Sequence, residues 1–368
     1  MSDINKILLV QLYANGDCLY ATTIARQIKN DYPDCHLTWA ISFSCRNIIK
    51  NNPFVDKILE IKNVKKDDIP GFRKLIKRLK GGSYGSFDEI FITQVIDKNL
   101  ANYDGSIRSS IFRGYPGKIT VPIRPVLILD NEEIIKVQNF AELHNLSKYK
   151  SVILFEYAPQ SGQSNMDNTK ALNIANKLVS YGNIAVILSS ANKIESSQQS
   201  VIDGSILTIR ETAALTHYCN LLLGSSSGLT WISTSSAAKS LPMIQLLNAE
   251  TTFPNPPSRD FKRFNIDQSK LIELIDFNEQ KIVDCTNLAL EDFNKAKNTF
   301  NQEIYTHFKS SQSIIYNLIC YLQFGQILKH IKVNRKVYGD NIKFYQNIFL
   351  GIFKTPFKLF RNLLTKRF

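Results

Sequence analysis

The chain lacks any paired-cysteine motif. Its six cysteines (Cys18, Cys35, Cys45, Cys219, Cys285 and Cys320) are scattered, with no Cys-x-x-Cys and no dense framework. Several lie in apolar stretches, the pattern of reduced, partly buried thiols in a cytosolic protein rather than of a disulfide scaffold. The five histidines are equally dispersed, which argues against a zinc site. No stretch approaches the roughly 18 uninterrupted apolar residues of a membrane-spanning helix. The opening "MSDINKILLVQLY" has too short an apolar run for a signal peptide and no small-residue cleavage site. It is expected to form a first strand, and the protein to remain in the cytosol. Neither a GxxxxGK[ST] phosphate loop nor a GxGxxG dinucleotide fingerprint occurs.

What is present is an ordinary globular composition, 44% hydrophobic and 21% charged, over 368 residues, long enough for two domains. The net charge of +13 is unevenly placed. From Gly325 to Phe368 ten Lys and Arg face one acid, Asp340, whereas the rest of the chain carries 35 bases against 31 acids. The basicity belongs mostly to a tail.

The first 60 residues alternate. "KILLVQL" reads as a strand buried on both faces, "YANGD" as a turn, and "CLYATTIARQIKNDYP" as a helix ended by Pro33. "HLTWAIS" and "VDKILEI" read as further strands around a short helix, "CRNIIKNNP". This is the βαβαβ opening of a doubly wound sheet. A basic helix over 65–85 and a strand, "FDEIFITQV", follow. Residues 97–126 read as irregular, and "PVLILDNEEIIKVQNFAELHNL" as a bridging strand and helix.

A second alternation starts at Ser151. "SVILFEY", "NIAVILSS", "SILTI", "NLLLG" and "PMIQLL" read as strands. Helices are expected in "MDNTKALNIANKLVSYG", in "RETAALTHYC" and from the serine-rich turn to about Ser240. Residues 251–262 are Pro-rich, and the pattern is helical from about Leu288 to Ile331. The expected architecture is α/β: two consecutive Rossmann-like halves, residues 1–145 and 146–285, with a helical appendage over 286–368.

In such sheets ligands sit where strand ends lead into helix N-termini. Three loops qualify. In "YANGD", Asn15, Gly16 and Asp17 follow the first strand. Gly16 would permit a tight turn, and Asp17 would either cap the helix or serve as a general base. In "APQSGQSN", Ser161, Gly162, Gln163 and Ser164 offer hydroxyl, amide and backbone donors to an oxygen-rich anion, or form a plain polar loop. In "GSSSGLTW", Ser225, Ser226, Ser227 and Gly228 stand at a helix mouth whose dipole favours phosphate. Trp231 would stack on a base or sugar, or pack in the core. Glu211 would accept ribose hydroxyls or favour its helix N-terminus.

The stretch from "KILLVQL" through "YANGD" to "NNPFVDKILEI", together with "TIRETAALTHYCNLLLGSSSGLTWISTSSAAKSLPMIQLL", resembles glycosyltransferase family 9, the ADP-heptose:lipopolysaccharide heptosyltransferases. The resemblance covers roughly residues 5–62 and 150–248. It implies a GT-B fold, two Rossmann-like domains facing a cleft, and an inverting, metal-independent sugar transfer from a nucleotide-diphosphate donor. No Asp-x-Asp occurs, in line with the latter, and no cofactor is implied. By the same resemblance Asp17 matches the catalytic base. The implied acceptor is lipopolysaccharide, another surface glycan or a lipid-linked saccharide. The family's Asp-Ser/Thr-Gly-x-x-His stands here as Ser226-Ser227-Gly228-Leu229-Thr230-Trp231, and the lysine of its phosphate loop has no counterpart in register. Neutral residues thus replace two diphosphate-contacting side chains, which leaves the donor open.

The tail over 347–368, "NIFLGIFKTPFKLFRNLLTKRF", interleaves aromatic and basic residues, with Pro356 expected to break it into two pieces. It would lie on an anionic membrane surface, the inner face of the cytoplasmic membrane, or pack its Phe residues on the body. Nucleic acid is not an expected partner, since no binding motif occurs. Arg108, Arg113 and Lys118 would contact an acidic acceptor or be solvated. A nucleotide-sugar-binding protein without transferase activity and a nucleotide-sugar epimerase are the alternative functions.

Overall fold

Four parallel strands begin the chain: β1 (Lys6–Val10), β2 (His36–Ser42), β3 (Lys57–Ile61) and β4 (Glu89–Ile92), in the sheet order β3-β2-β1-β4. The structure, a computed structural model, describes residues 5–157, 166–248, 256–275, 278–304 and 308–365. A second parallel sheet holds β5 (Ser151–Glu156), β6 (Ile184–Ser189), β7 (Val201–Asp203), β8 (Leu221–Gly224), β9 (Met243–Leu246) and β10 (Leu271–Leu274). Its order is β10-β9-β8-β5-β6-β7. In both sheets the first strand lies inside and the chain winds outward to either side, the doubly wound arrangement.

The apolar runs explain the layering, because successive side chains of a strand point to opposite faces. In β1, Ile7 and Leu9 join the core around helix Asn15–Asp31, while Leu8 and Val10 pack with Phe72 and Leu75 of helix Ile69–Lys80. In β5, Val152 and Leu154 face inward and Ile153 and Phe155 face helix Asn168–Ser180. The inward faces of the two sheets feed one continuous core that includes Trp39, Leu127, Leu222 and Trp231. Each fully buried aliphatic side chain contributes about 1.5–3 kcal/mol relative to exposure.

The crossover is not a strand. Val126 N–H donates to Thr22 Oγ1 of the first half, and Leu127 N–H to Ser236 Oγ of the second. The segment "PVLIL" therefore stitches two domains together instead of joining a sheet. Helix Asn131–Leu143 follows, opened by a capping box in which Asp130 and Glu133 exchange hydrogen bonds.

Three further expectations are corrected. "SILTI" is a turn, because Asp203 Oδ1 accepts the Ser205 N–H and ends β7. The helix expected to reach Ser240 stops at Ile232. There the Ser233 and Thr234 hydroxyls donate back to the Leu229 and Trp231 carbonyls, while Arg124 draws the following carbonyls of Ser235 and Ala238 toward the crossover. Pro356 lies inside one helix, Ile342–Thr365, and does not break it. Packing substitutes for the missing amide. The helix lies against helix Lys309–Cys320 so closely that a Cβ on Gly351 would stand 3.0 Å from Gln312 Cα. Thr355 Oγ1 also donates to the Gly351 carbonyl.

The expected boundary at 285 falls within helix Glu279–Glu291, whose Ile282, Val283 and Cys285 are buried beside the second sheet. Beyond it the chain returns to the first domain. Ile314 and Leu318 pack on Tyr103, and Asn334 of helix Phe324–Tyr338 donates to the Tyr103 carbonyl. The last helix divides its aromatics. Phe344 and Ile348 are buried, whereas Phe349, Phe353 and Phe357 form an exposed ladder at i, i+4, i+8, with ring centroids 6.2 and 5.7 Å apart. No helix among the described residues is long and apolar enough to cross a membrane.

Candidate active site between the two sheets

The turn after β1 is pinned before it reaches helix Asn15–Asp31. Gln94, just beyond β4, accepts the Leu12 and Tyr13 N–H groups on one carbonyl oxygen at 2.8 and 2.9 Å. Gln11 braces the same turn through the Tyr13 carbonyl and Thr93. Two glutamines at adjacent strand ends thus fix where the helix starts. Its N-cap is Ala14, so Asp17 occupies the third helical position and is not the cap. Gly16 lies in the helix without a positive φ, so no tight turn requires it there.

Asp17 faces a cleft of about 290 Å³ between the domains. Burial pushes its carboxyl up to about 7, against the opposing pull of Lys66 and of the Ala14 N–H. Half of such groups are ionised near neutrality, the condition that suits a general base. Across the cleft stand Ser226, Ser227, Gly228 and one edge of Trp231. The two helix starts touch: a Cβ on Gly16 would lie 3.5 Å from Gly228 Cα. Trp231 is otherwise core, packed on Tyr20 and Phe261 with centroid separations of 5.4 and 6.1 Å.

Beneath the serine-rich turn is a carboxylate that sequence reasoning missed. Glu156, the last residue of β5, accepts the Thr230 hydroxyl at 3.0 Å and the Ser225 N–H at 3.4 Å. Burial raises its carboxyl to about 7, with the Ser225 amide and the Thr230 hydroxyl resisting. Gln245 of β9 accepts the Ser226 N–H at 2.7 Å. Helix Gly228–Ile232 has only five residues, and the Ser225, Ser226 and Leu229 amides at its mouth are turned toward protein groups. The helix-mouth phosphate cradle expected from sequence is therefore largely self-occupied. Ser227 and Ser226 line the cleft, and Ser226 Oγ is buried with no hydrogen-bond partner among the described residues. Ser225 is fully buried behind the turn. The available signal was a lone Glu closing the apolar run "VILF".

The other candidates separate. Asn15 and Glu211 line a second cavity of about 380 Å³, together with Lys136 and Arg210. There Glu211 forms a capping box with Thr208 and an ion pair with Lys136 at 2.9 Å. Ser161, Gly162, Gln163 and Ser164 lie outside the described residues. Arg108, one of the bases left between acceptor contact and solvent, is buried in the cleft wall. Cys45 sits near Asp17, and hydrogen bonds from Cys18, Ser42 and Ser44 bring its thiol down to about 6. Among the described residues no three His, Cys, Asp or Glu side chains converge as a metal site.

No family model matches the sequence, and no curated protein matches it. Solved structures do. A glycosyl transferase family 9 structure from Veillonella parvula DSM 2008 superposes with a TM-score of 0.55 at 14% identity, covering 81% of this chain and 98% of that one. The ADP-heptose lipopolysaccharide heptosyltransferase II of E. coli superposes with a TM-score of 0.53 at 16% identity, covering 78% and 99%. Two parallel sheets facing a cleft, with a helical C-terminal segment returning to the first domain, give this chain the GT-B fold of the family 9 glycosyltransferases it is similar to.

Proposed function

We propose that the chain is an inverting, metal-independent glycosyltransferase that moves a sugar from a nucleotide-diphosphate donor to a lipopolysaccharide, surface-glycan or lipid-linked acceptor. The observation that carries this reading is Asp17: a carboxyl raised to about 7, in a cleft between two Rossmann-like sheets. Asp17 takes the proton of an acceptor hydroxyl as its oxygen attacks the anomeric carbon. The bond from that carbon to the diphosphate oxygen breaks on the opposite face, and the nucleoside diphosphate leaves with the electron pair. One displacement inverts the configuration. The similarity to a heptosyltransferase structure favours a lipopolysaccharide-type acceptor.

The exposed ladder of Phe349, Phe353 and Phe357, with Lys354 and Lys358 beside it, supports placement on an anionic cytoplasmic membrane surface. A lipid-linked acceptor would be met there. With the Ser225 and Ser226 amides held by Glu156 and Gln245, fewer donors are left to stabilise a departing diphosphate, which favours, as a second reading, a nucleotide-sugar-binding protein without transferase activity. Calorimetric titration with ADP, UDP, GDP and CMP and their sugar conjugates, followed by mass spectrometry of products with glycolipid acceptors, separates the two. Binding with a new glycosidic product supports transfer. Binding without product or hydrolysis supports the second reading, and no binding overturns both.

A further inference from the structure

Arg108 is 1% exposed, yet it is one of the residues that line the cleft. It belongs to helix Ile107–Phe112 of the first domain, and its ion-pair partner Asp260 to helix Pro257–Arg263 of the second, with Nε 3.1 Å from Asp260 Oδ2. Its Cζ lies 4.5 Å from the Tyr20 ring centroid, 5.4 Å from Phe264 and 5.8 Å from Trp231. The Tyr20 hydroxyl also meets the guanidinium. One carboxylate and three rings hold the group in place.

Its hydrogen bonding is nevertheless incomplete. Nε meets Asp260 as an ion pair outside hydrogen-bond geometry, and neither it nor Nη2 makes a hydrogen bond among the described residues. Nearby Asp104 shows the contrast: it receives Arg113, Arg263, the Ser106 amide and the Ser109 hydroxyl. A buried donor left unmade is costly, more so when charged, and calls for an explanation. A ligand oxygen entering the cleft supplies one.

We infer that Arg108 is the phosphate receptor of this cleft, its guanidinium edge donating to the oxygens of a phosphate or diphosphate that enters beside Asp17. The inference rests on the donor reading of the same cleft and gives it the positive charge that the neutral loops lack. A planar guanidinium matches phosphate oxygens in pairs, which an ammonium does not. Lys65 and Lys66 also line the cleft, but they are exposed. The Ser225 and Ser226 amides are engaged by Glu156 and Gln245, which leaves that wall fewer donors. Two sources of phosphate fit this chemistry, the donor's diphosphate and a phosphate on the acceptor.

The test titrates inorganic pyrophosphate, ADP and a sugar monophosphate into the full chain and three variants. Arg108→Lys keeps a cation for Asp260. The double variant Arg108→Gln with Asp260→Asn removes both charges, so no carboxylate is stranded, and thermal melting checks that it folds. Lys80→Ala, an exposed lysine outside the cleft, is the control. Wild type is expected to bind pyrophosphate and ADP, with affinity falling roughly tenfold or more in Arg108→Lys and lost in the double variant, while Lys80→Ala changes little. Loss with pyrophosphate and ADP assigns Arg108 to the donor, and loss confined to the sugar monophosphate assigns it to the acceptor. Equal affinities in folded variants, or no probe binding to wild type, overturn the assignment. Sugar transfer that depends on Asp17 but not on Arg108 would leave the transferase reading standing and remove this inference alone.

Discussion

Thr230 donates its hydroxyl to Glu156 Oε2 at 3.0 Å, tying the helix after β8 to the last residue of β5. The serine-rich turn is shaped by this buried carboxyl as much as by its own sequence. Glu156→Ala strands the Ser225 amide and the Thr230 hydroxyl and is expected to cost about 1–3 kcal/mol, read as a lower denaturant midpoint. The folded-state carboxyl, at about 7, lies above its ordinary value of 4.5. Its stabilising contribution is thus fully present below about 4.5 and is lost as pH rises through about 7. Glu156→Gln, neutral throughout, is expected to flatten that alkaline loss. Urea midpoints at several pH values between those limits would show it, and an unchanged slope would count against the assignment.

Arg210 makes a denser tie, and one that crosses between the domains. It is buried and donates to both Glu133 oxygens and to the carbonyls of Ile128, Asn47 and Lys50. Arg210→Ala leaves Glu133 without its partner and is expected to destabilise the protein by about 3–5 kcal/mol. Lys50 pairs with Asp130 at the surface, where solvent screens the pair, and Lys50→Ala is expected to leave the denaturation midpoint nearly unchanged. Chemical denaturation of both variants checks the contrast.

Replacing Phe349, Phe353 and Phe357 together by Ser removes the exposed ladder while sparing the buried face of Phe344 and Ile348. The expected result is an unchanged melting temperature with loss of sedimentation with anionic vesicles. Each Lys near such a surface is worth about 1 kcal/mol, so wild-type binding is also expected to weaken with salt. Equal sedimentation of variant and wild type would contradict the membrane reading.

Legibility in the sequence followed the range of the forces involved. Strands such as "KILLVQL" and "SVILFEY" are readable because burial on both faces demands continuous apolar runs, and those runs are local. Asp17 could be singled out from the small-residue turn, but the turn alone also allowed a capping role, and only the helix start at Asn15 turns it from cap to cleft residue. Glu156 and Arg108 were not assigned, since what defines them comes from 69 and 152 residues away, at Ser225 and Asp260. The short helix Gly228–Ile232 was overextended for a similar reason. Hydroxyl back-bonds from Ser233 and Thr234 and the distant Arg124 end it, and a periodicity argument sees neither.

The most direct test of the account is the pH dependence of sugar transfer by wild type and Asp17→Asn, once a donor is identified. A base must be ionised to accept a proton, so wild-type kcat/KM is expected to rise with pH through about 7, the value to which burial pushes Asp17. Asp17→Asn is expected to keep donor affinity and lose roughly 10²–10⁴-fold in rate, with the acid limb gone. Turnover by Asp17→Asn at the wild-type rate, with the same pH profile, would contradict the claim that Asp17 is the base.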